Sequence, residues 1–394
     1  MKRILLLLFT IILVSVLLLS LIHVYYDGYN KPPEGFFFGV SYGLQTVHEA
    51  KLLIDKVKGY TNFFIVNNWD ISTNETALNE ICDYAADSGL SFIVFFDFIS
   101  LSEHGYPWHA DWVITAKDRW EDKFLGIYIY EETAGKQIDT GLFDEFHMAS
   151  ERARMYENVT TYSQAAEVFV TELPLSWDFH YLQNSNIPRF VSDYALYWFD
   201  YLAGYDTVFA ELGFGLNINQ NIGLCRGAAR AQNKDWGTII VWKSRNPEDE
   251  TMGIYKTGPE MLQDMLISYE AGANYIVIFD FPRYPEDNPY GILTEEHFTA
   301  MQQFWQHVCE HPEDYGKTVG QVAFVLPKDY GWGMRSENDK IWGLWSADEL
   351  SPVIWKNMSK LIEKYGIQLD IVYDDPRFSY ETYSEVIFYN STVN

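Results

Sequence analysis

Basic residues are scarce in this chain: 28 Lys and Arg stand against 55 Asp and Glu, a formal net charge of −27. Nucleic acids and anionic membrane surfaces are held by basic patches, so this balance argues against both as partners. Cysteine is almost absent. Cys82, Cys225 and Cys309 are widely spaced and each lies in an apolar helical context. That pattern is neither a disulfide framework nor a zinc motif. It reads as buried free thiols, with one disulfide and one leftover thiol as the alternative. No Gly-rich phosphate loop follows a strand-like run, and no low-complexity tract is present. No metal or organic cofactor is implied, and no protein partner can be inferred.

What is abundant is apolar and aromatic. Hydrophobic residues make up 48 % and aromatics 17 %, enough to bury a sizeable core and to exclude a disordered chain. Ile4 to Ile22 has no charge, no Gly and no Pro. A spanning helix needs roughly 20 such residues, whereas a cleavable signal has a shorter core and a small-residue cleavage site. His23-Val24-Tyr25-Tyr26 offers no such site. An uncleaved anchor is therefore expected, with a secreted product if the segment is cut. Lys2 and Arg3 orient its N-terminus to the cytoplasm and the rest of the chain outside. Asn-x-Ser/Thr sequons at Asn74, Asn158, Asn357 and Asn390 are compatible with that location.

From Phe36 onward, short apolar runs alternate with amphipathic stretches. The runs are 36–40, 62–66, 91–96, 125–130, 189–191, 207–210, 238–242 and 275–279, rich in Val, Ile, Phe and Tyr. Helix-like stretches follow at 47–57, 75–88, 116–123, 163–183, 195–202, 218–232, 259–270 and 295–310. Eight such units in roughly 275 residues predict an α/β fold, a (β/α)8 TIM-type barrel. A second βαβ pattern follows, with strands at 322–326, 369–373 and 385–389 and a helix at 351–365. The expected organisation is a membrane helix in 1–27, the barrel in 28–315 and a short α/β appendage in 316–394.

Barrel enzymes carry their reacting groups at the C-terminal ends of the strands. Six of the eight predicted strand ends bear a carboxylate: Asp70, Asp97, Glu131-Glu132, Asp193, Glu211 and Asp280. Aromatics accompany them, with Tyr42, Trp69, Trp108 and Trp242 as candidates. Sugars present hydroxyls, which suit carboxylates and amides, and apolar C–H faces, which suit flat rings. Glycosidic cleavage needs two carboxyls flanking the bond. Glu132 and Glu211 are the candidate catalytic pair, Glu132 as acid and Glu211 as base or nucleophile. Glu131, Asp97, Trp69, Tyr42, Trp108, Trp242, Lys243 and Asp280 are the candidate substrate-binding residues. Acidic residues at these positions can also simply cap helices, and aromatics are usually core. Adjacent Glu131 and Glu132 repel one another, so packing both beside an apolar strand is costly without a purpose. His104 and His109 flank Trp108 and read as a polar wall of the site rather than a metal pair.

The segment 126–139, GIYIYEETAGKQID, resembles the strand-4 region of glycoside-hydrolase-type barrels. These commonly carry Asn-Glu-Pro or Asp-Glu-Pro there, the Glu being the acid. On that resemblance Glu132 matches the acid and Glu131 its polar neighbour, with Thr133 in place of the Pro. The segments 210–229, 235–242, 340–350 and 369–374 resemble an uncharacterised, mainly archaeal group of glycosidase-like barrel proteins with an N-terminal membrane segment. The resemblance implies a carbohydrate ligand but no particular activity. One departure stands out. The largest glycosidase superfamily of this fold ends strand 7 on a nucleophilic Glu, whereas this chain has Val241-Trp242-Lys243. The expectation is thus a membrane-anchored, extracytoplasmic glycoside hydrolase-like protein. The alternative is a non-catalytic glycan-binding or envelope structural protein using the same barrel mouth.

Overall fold

The computed structural model describes residues 31–96, 108–141, 159–213, 215–245, 253–280 and 293–391. The predicted membrane segment lies outside them. Among the described residues no helix is long and apolar enough to cross a membrane.

Eight parallel strands close into a barrel: β1 (Phe37–Tyr42), β2 (Phe63–Val66), β3 (Ser91–Phe96), β4 (Phe124–Ile129), β5 (Arg189–Asp193), β6 (Thr207–Leu212), β7 (Asp235–Ile240) and β10 (Tyr275–Asp280). The hairpin β8 (Lys243–Arg245) and β9 (Gly253–Tyr255) is inserted between the last two. The strands are apolar on both faces because one face lines the barrel and the other meets the helices. Phe63, Ile65, Ile93, Tyr128, Phe190, Phe209, Ile239, Tyr275 and Val277 fill the interior. Their alternates, such as Phe64, Val94, Val191 and Ile240, join the larger core between barrel and helices.

The predicted barrel is present, and the differences from expectation are local. The helix expected at 116–123 begins at Trp108 and ends at Trp120, so Trp108 and His109 sit on its first turn rather than on a loop. The stretch 163–183 is two helices, Tyr162–Leu175 and Trp177–Asn184, parted beyond Pro174 at Ser176, which caps the second through the Phe179 amide. Pro174 lacks an N–H and its ring crowds the preceding turn, which favours a break there. A helix over Thr133–Thr140 was not expected at all.

After the barrel come β11 (Val322–Leu326), β12 (Leu369–Tyr373) and β13 (Glu385–Phe388), a three-stranded parallel sheet ordered β12-β11-β13. The helix Ser351–Tyr365 connects the first two. This sheet is seated on the barrel helix Ile218–Gln232. Gly223 and Gly227 face it, and a Cβ at either would lie 2.6 Å from the Leu369 carbonyl oxygen or 2.8 Å from that of Ile371. Two glycines one turn apart thus let a strand lie directly against a helix. Between them Arg226, nearly inaccessible, sets its Nε 2.7 Å from Asp370 Oδ1. Arg230 reaches the other oxygen of the same carboxylate at 2.9 Å. Cys82 and Cys225 are buried and free, and Cys309 is a half-buried free thiol. Asn357 is buried, donating to the carbonyls of Tyr389 and Ser391, so the folded chain withholds that sequon.

Candidate active site

The interior face of each strand leads up to the barrel's C-terminal mouth. Along β1 the inward set Phe37 and Gly39 continues to Ser41; along β2, Phe63 and Ile65 continue to Asn67. Along β5 it ends on Ser192, and along β6 on Glu211. Ser41, Asn67, Ser192 and Glu211 are all buried. These polar groups form the top layer, above an interior filled largely by apolar and aromatic side chains.

The densest part is the β4–β6 sector. Tyr128 on β4 donates its hydroxyl to Glu131 Oε1 at 3.1 Å. The same hydroxyl lies 2.7 Å from Ser192 Oγ, and Ser192 Oγ lies 2.8 Å from Glu211 Oε1. Two hydroxyls thus bridge carboxyls from different strands. The three contacts hold the two carboxyl oxygens no more than about 9 Å apart. Burial pushes the Glu211 carboxyl well above its ordinary value, and the nearby charges of Glu132 and then Glu131 add to it. Burial likewise raises the Tyr128 hydroxyl, with Glu131 the next cause.

The end of β4 is strained. Tyr130 and Glu132 both adopt left-handed backbone conformations, at φ 57° and 56°. Each costs on the order of 1–3 kcal/mol in a non-glycine residue and persists only where the surroundings enforce it. Here they do. The Glu132 amide donates to the Ser192 carbonyl at 3.0 Å. Lys136 Nζ donates to the Glu131 carbonyl at 2.7 Å and lies 3.7 Å from Glu132 Oε2. The helix Thr133–Thr140 then begins on Asp193 of β5, whose carboxylate accepts the amides of Ala134 and Gly135 at 2.7 and 2.8 Å. It also accepts those of Tyr194 and Ala195. Burial raises Asp193 to about 7 against the opposing pull of those four amides.

The far end of that helix is held by the loop after β11. Gln137 donates to the Trp342 carbonyl at 2.7 Å, and Arg335 bonds Asp139 at 2.6 Å. The Tyr194 hydroxyl donates to the second Asp139 oxygen. An eight-residue helix with Gly135 inside it is thus stabilised by tertiary contacts rather than by its own propensity.

The expected site residues divide into groups. Glu131, Glu132 and Glu211 converge. The burial needed for a proton-carrying acid belongs to Glu211, whereas the Glu132 side chain is 28 % exposed and beside Lys136. Trp69 opens the short helix Trp69–Ser72 after β2 and is 38 % exposed, an accessible ring at the barrel's C-terminal end. Tyr42 and Trp242 are corrected by the structure. Tyr42 is fully buried, stacks on Phe64 and donates to the Thr46 carbonyl, so it faces the helices. Trp242 is buried against His297, ring centroids 4.3 Å apart, also on the outer side. Neither ring is placed to stack on a ligand in the mouth. Trp108 is half-buried with its edge near Phe96 and His109. His109 is no open wall either: it is buried, stacks on Phe96 and sits 2.8 Å from the Ser72 carbonyl oxygen. Lys243 begins the β8–β9 hairpin with its ammonium 5.1 Å over the Tyr255 ring. Asp280 closes β10. Asp97 and His104 lie outside the described residues. Among the described residues no group of His, Cys, Asp and Glu is placed to hold a metal ion.

Tyr128 and Ser192 escaped the sequence reading. Nothing in the sequence marked them, because both lie in strands that are apolar on both faces.

No protein-family model matches the chain, and no curated protein matches it in sequence. Solved structures do match it. A β-galactosidase from Bacillus circulans sp. alkalophilus superposes with a TM-score of 0.54 at 10 % identity, over 92 % of this chain and 67 % of that one. A GH99 endo-α-mannosidase from Bacteroides thetaiotaomicron gives 0.41 at 13 % identity, over 69 % and 82 %. A 3-hexulose-6-phosphate synthase from Salmonella typhimurium gives 0.33 at 9 % identity, over 69 % and 100 %. At such identities the likeness is one of fold: the chain is a TIM-type barrel with an added three-stranded sheet, and its structural neighbours include glycoside hydrolases alongside barrel enzymes of other chemistry.

Proposed function

We propose that this chain is a glycoside hydrolase-like protein acting on envelope or external glycans, tethered to the membrane by residues 4–22. The observation that carries the reading is the pairing of Glu211 with the β4 carboxylates across Tyr128 and Ser192, at the barrel end where reacting groups belong. Glu211 serves as the acid. Its burial favours the protonated form, as donation to a leaving glycosidic oxygen requires. Its Oε2 makes no hydrogen bond among the described residues and is the oxygen a ligand would meet. The Glu131–Glu132 pair supplies the partner carboxylate as base or nucleophile, and Trp69 offers a face for a sugar ring. The fold shared with a β-galactosidase supports the substrate class.

The test is turnover of a panel of glycans and aryl glycosides by the full chain. Glu211→Gln and Glu131→Gln should each lower kcat by about 10²–10⁴-fold with folding intact. Turnover that survives Glu211→Gln removes the assignment. Cell fractionation with external protease tests the tether: an exterior barrel is digested in intact cells, an interior one is not. A second reading, glycan binding without hydrolysis, is favoured by the top of β7, where the strand-end residues Val241 and Trp242 are buried and apolar and Lys243 comes next. Binding without turnover in the parent would select it.

A further inference from the structure

The chain of hydroxyls between the two carboxyls has a proton count that does not balance when both are ionised. Tyr128 and Ser192 carry one hydroxyl hydrogen each. Three contacts must be filled: Glu131 to Tyr128 at 3.1 Å, Tyr128 to Ser192 at 2.7 Å and Ser192 to Glu211 at 2.8 Å. With two hydrogens, one contact would set two oxygen lone pairs against each other in a buried site, which is costly. A third hydrogen on one carboxyl fills every contact. With the proton on Glu211, it donates to Ser192, Ser192 to Tyr128 and Tyr128 to Glu131. With every hydrogen reversed, the proton sits on Glu131 and the chain is equally complete.

We infer that Tyr128 and Ser192 form a proton relay that lets Glu131 and Glu211 share a single proton and reset after each catalytic cycle. The inference rests on the hydrolase reading and assigns Glu131 as the base. In the forward step Glu211 gives its proton to the departing glycosidic oxygen as that C–O bond breaks. Glu131 takes a proton from the water whose oxygen forms the new bond to the sugar carbon. The result is Glu211 ionised and Glu131 protonated. Glu131 then donates to Tyr128, Tyr128 to Ser192 and Ser192 to Glu211. One glycoside and one water become two hydroxyl products, and the enzyme returns to its starting protonation without drawing on bulk solvent.

The surroundings suit a shared proton. Glu132 adds negative charge from the β4 end, Asp193 from β5, and the Tyr197 hydroxyl faces the same field. Ionising both carboxyls joined by this chain would set two more negative charges among them.

Two measurements on the full chain test the inference. The first needs no substrate: carboxyl resonances of ¹³C-labelled glutamate are followed with pH in the parent, Ser192→Ala and Ser192→Thr. Glu131 and Glu211 should titrate as a coupled pair in the parent and in Ser192→Thr, and separately in Ser192→Ala. Identical titrations in the parent and Ser192→Ala overturn the shared proton. The second uses turnover. Ser192→Ala and Tyr128→Phe should lower kcat by at least about 10-fold, with the loss restored by rising concentrations of imidazole buffer. A loss that buffer does not rescue overturns the relay. If the parent cleaves no glycoside, the hydrolase reading falls, and the titration still decides whether the proton is shared.

Discussion

Two buried carboxylates in this molecule are treated in opposite ways. Asp370, at the seam between barrel and C-terminal sheet, is fully buried and meets Arg226 Nε at 2.7 Å, Arg230 at 2.9 Å and the Tyr383 hydroxyl at 2.9 Å. Glu211, at the barrel mouth, is also buried, yet among the described residues its side chain bonds a serine hydroxyl and its charged neighbours include Glu132, Glu131 and Asp193. The first arrangement neutralises charge and joins two parts of the fold. The second leaves a carboxyl that burial drives toward its protonated form. Burial alone does not separate a structural carboxylate from a candidate acid; the partners around it do.

Breaking the neutralised site should have the largest effect. Arg226→Met leaves Asp370 buried with one of its two cations gone, and should cost about 3–5 kcal/mol in denaturant unfolding. Replacing both partners with apolar residues should recover most of that loss.

At the mouth the expected signs reverse. Glu211→Gln should abolish turnover while leaving stability unchanged or raised. The folded carboxyl sits above its unfolded value, so its contribution is fully present below about 4.3 and is lost as pH rises through the folded value. The Gln variant should therefore lose less stability on going from acid to neutral pH. Asp193 has the same sign, with stability falling between 3.8 and about 7.

A third carboxyl sharpens the comparison. Asp200 is buried, both its oxygens lack a hydrogen-bond partner among the described residues, and burial and then Asp193 push it upward. Asp200→Asn should flatten the pH dependence of thermal unfolding, making the protein relatively more stable as pH rises. An unchanged pH profile would mean that another group satisfies this carboxyl. The smallest expected effect on stability is that of Trp69. Trp69→Ala should weaken glycan binding with stability within about 0.5 kcal/mol of the parent, because its ring is exposed. Trp242→Ala should do the reverse, destabilising by about 3–5 kcal/mol.

The contrast between those two tryptophans shows where sequence reading reached its limit. The run Ser91–Phe96 and the helices Val47–Val57, Ile218–Gln232 and Glu295–Glu310 were legible to the residue, because periodicity and caps agree there. Glu211 was legible as a strand-end carboxylate. The inward or outward sense of Tyr42 and Trp242 was not. Strands apolar on both faces carry no alternation to read, and a one-residue change of parity moves a side chain from mouth to helix layer. The helix Thr133–Thr140 was hidden for another reason. Its anchors, Asp193 on β5 and Trp342 beyond β11, are distant in sequence and meet it only in the fold. Tyr128 and Ser192 looked like ordinary strand residues until three neighbouring strands were placed side by side.

The protonation state of Glu211 at neutral pH tests the account most directly. Infrared spectra of the parent, Glu211→Gln and Asp200→Asn can be compared in the carbonyl stretch of protonated carboxyls. The account predicts protonated-carboxyl absorption at pH 7 whose Glu211 component is lost in Glu211→Gln and kept in Asp200→Asn. A parent whose band is unchanged by Glu211→Gln has an ionised Glu211, and both the acid assignment and the shared proton are then wrong.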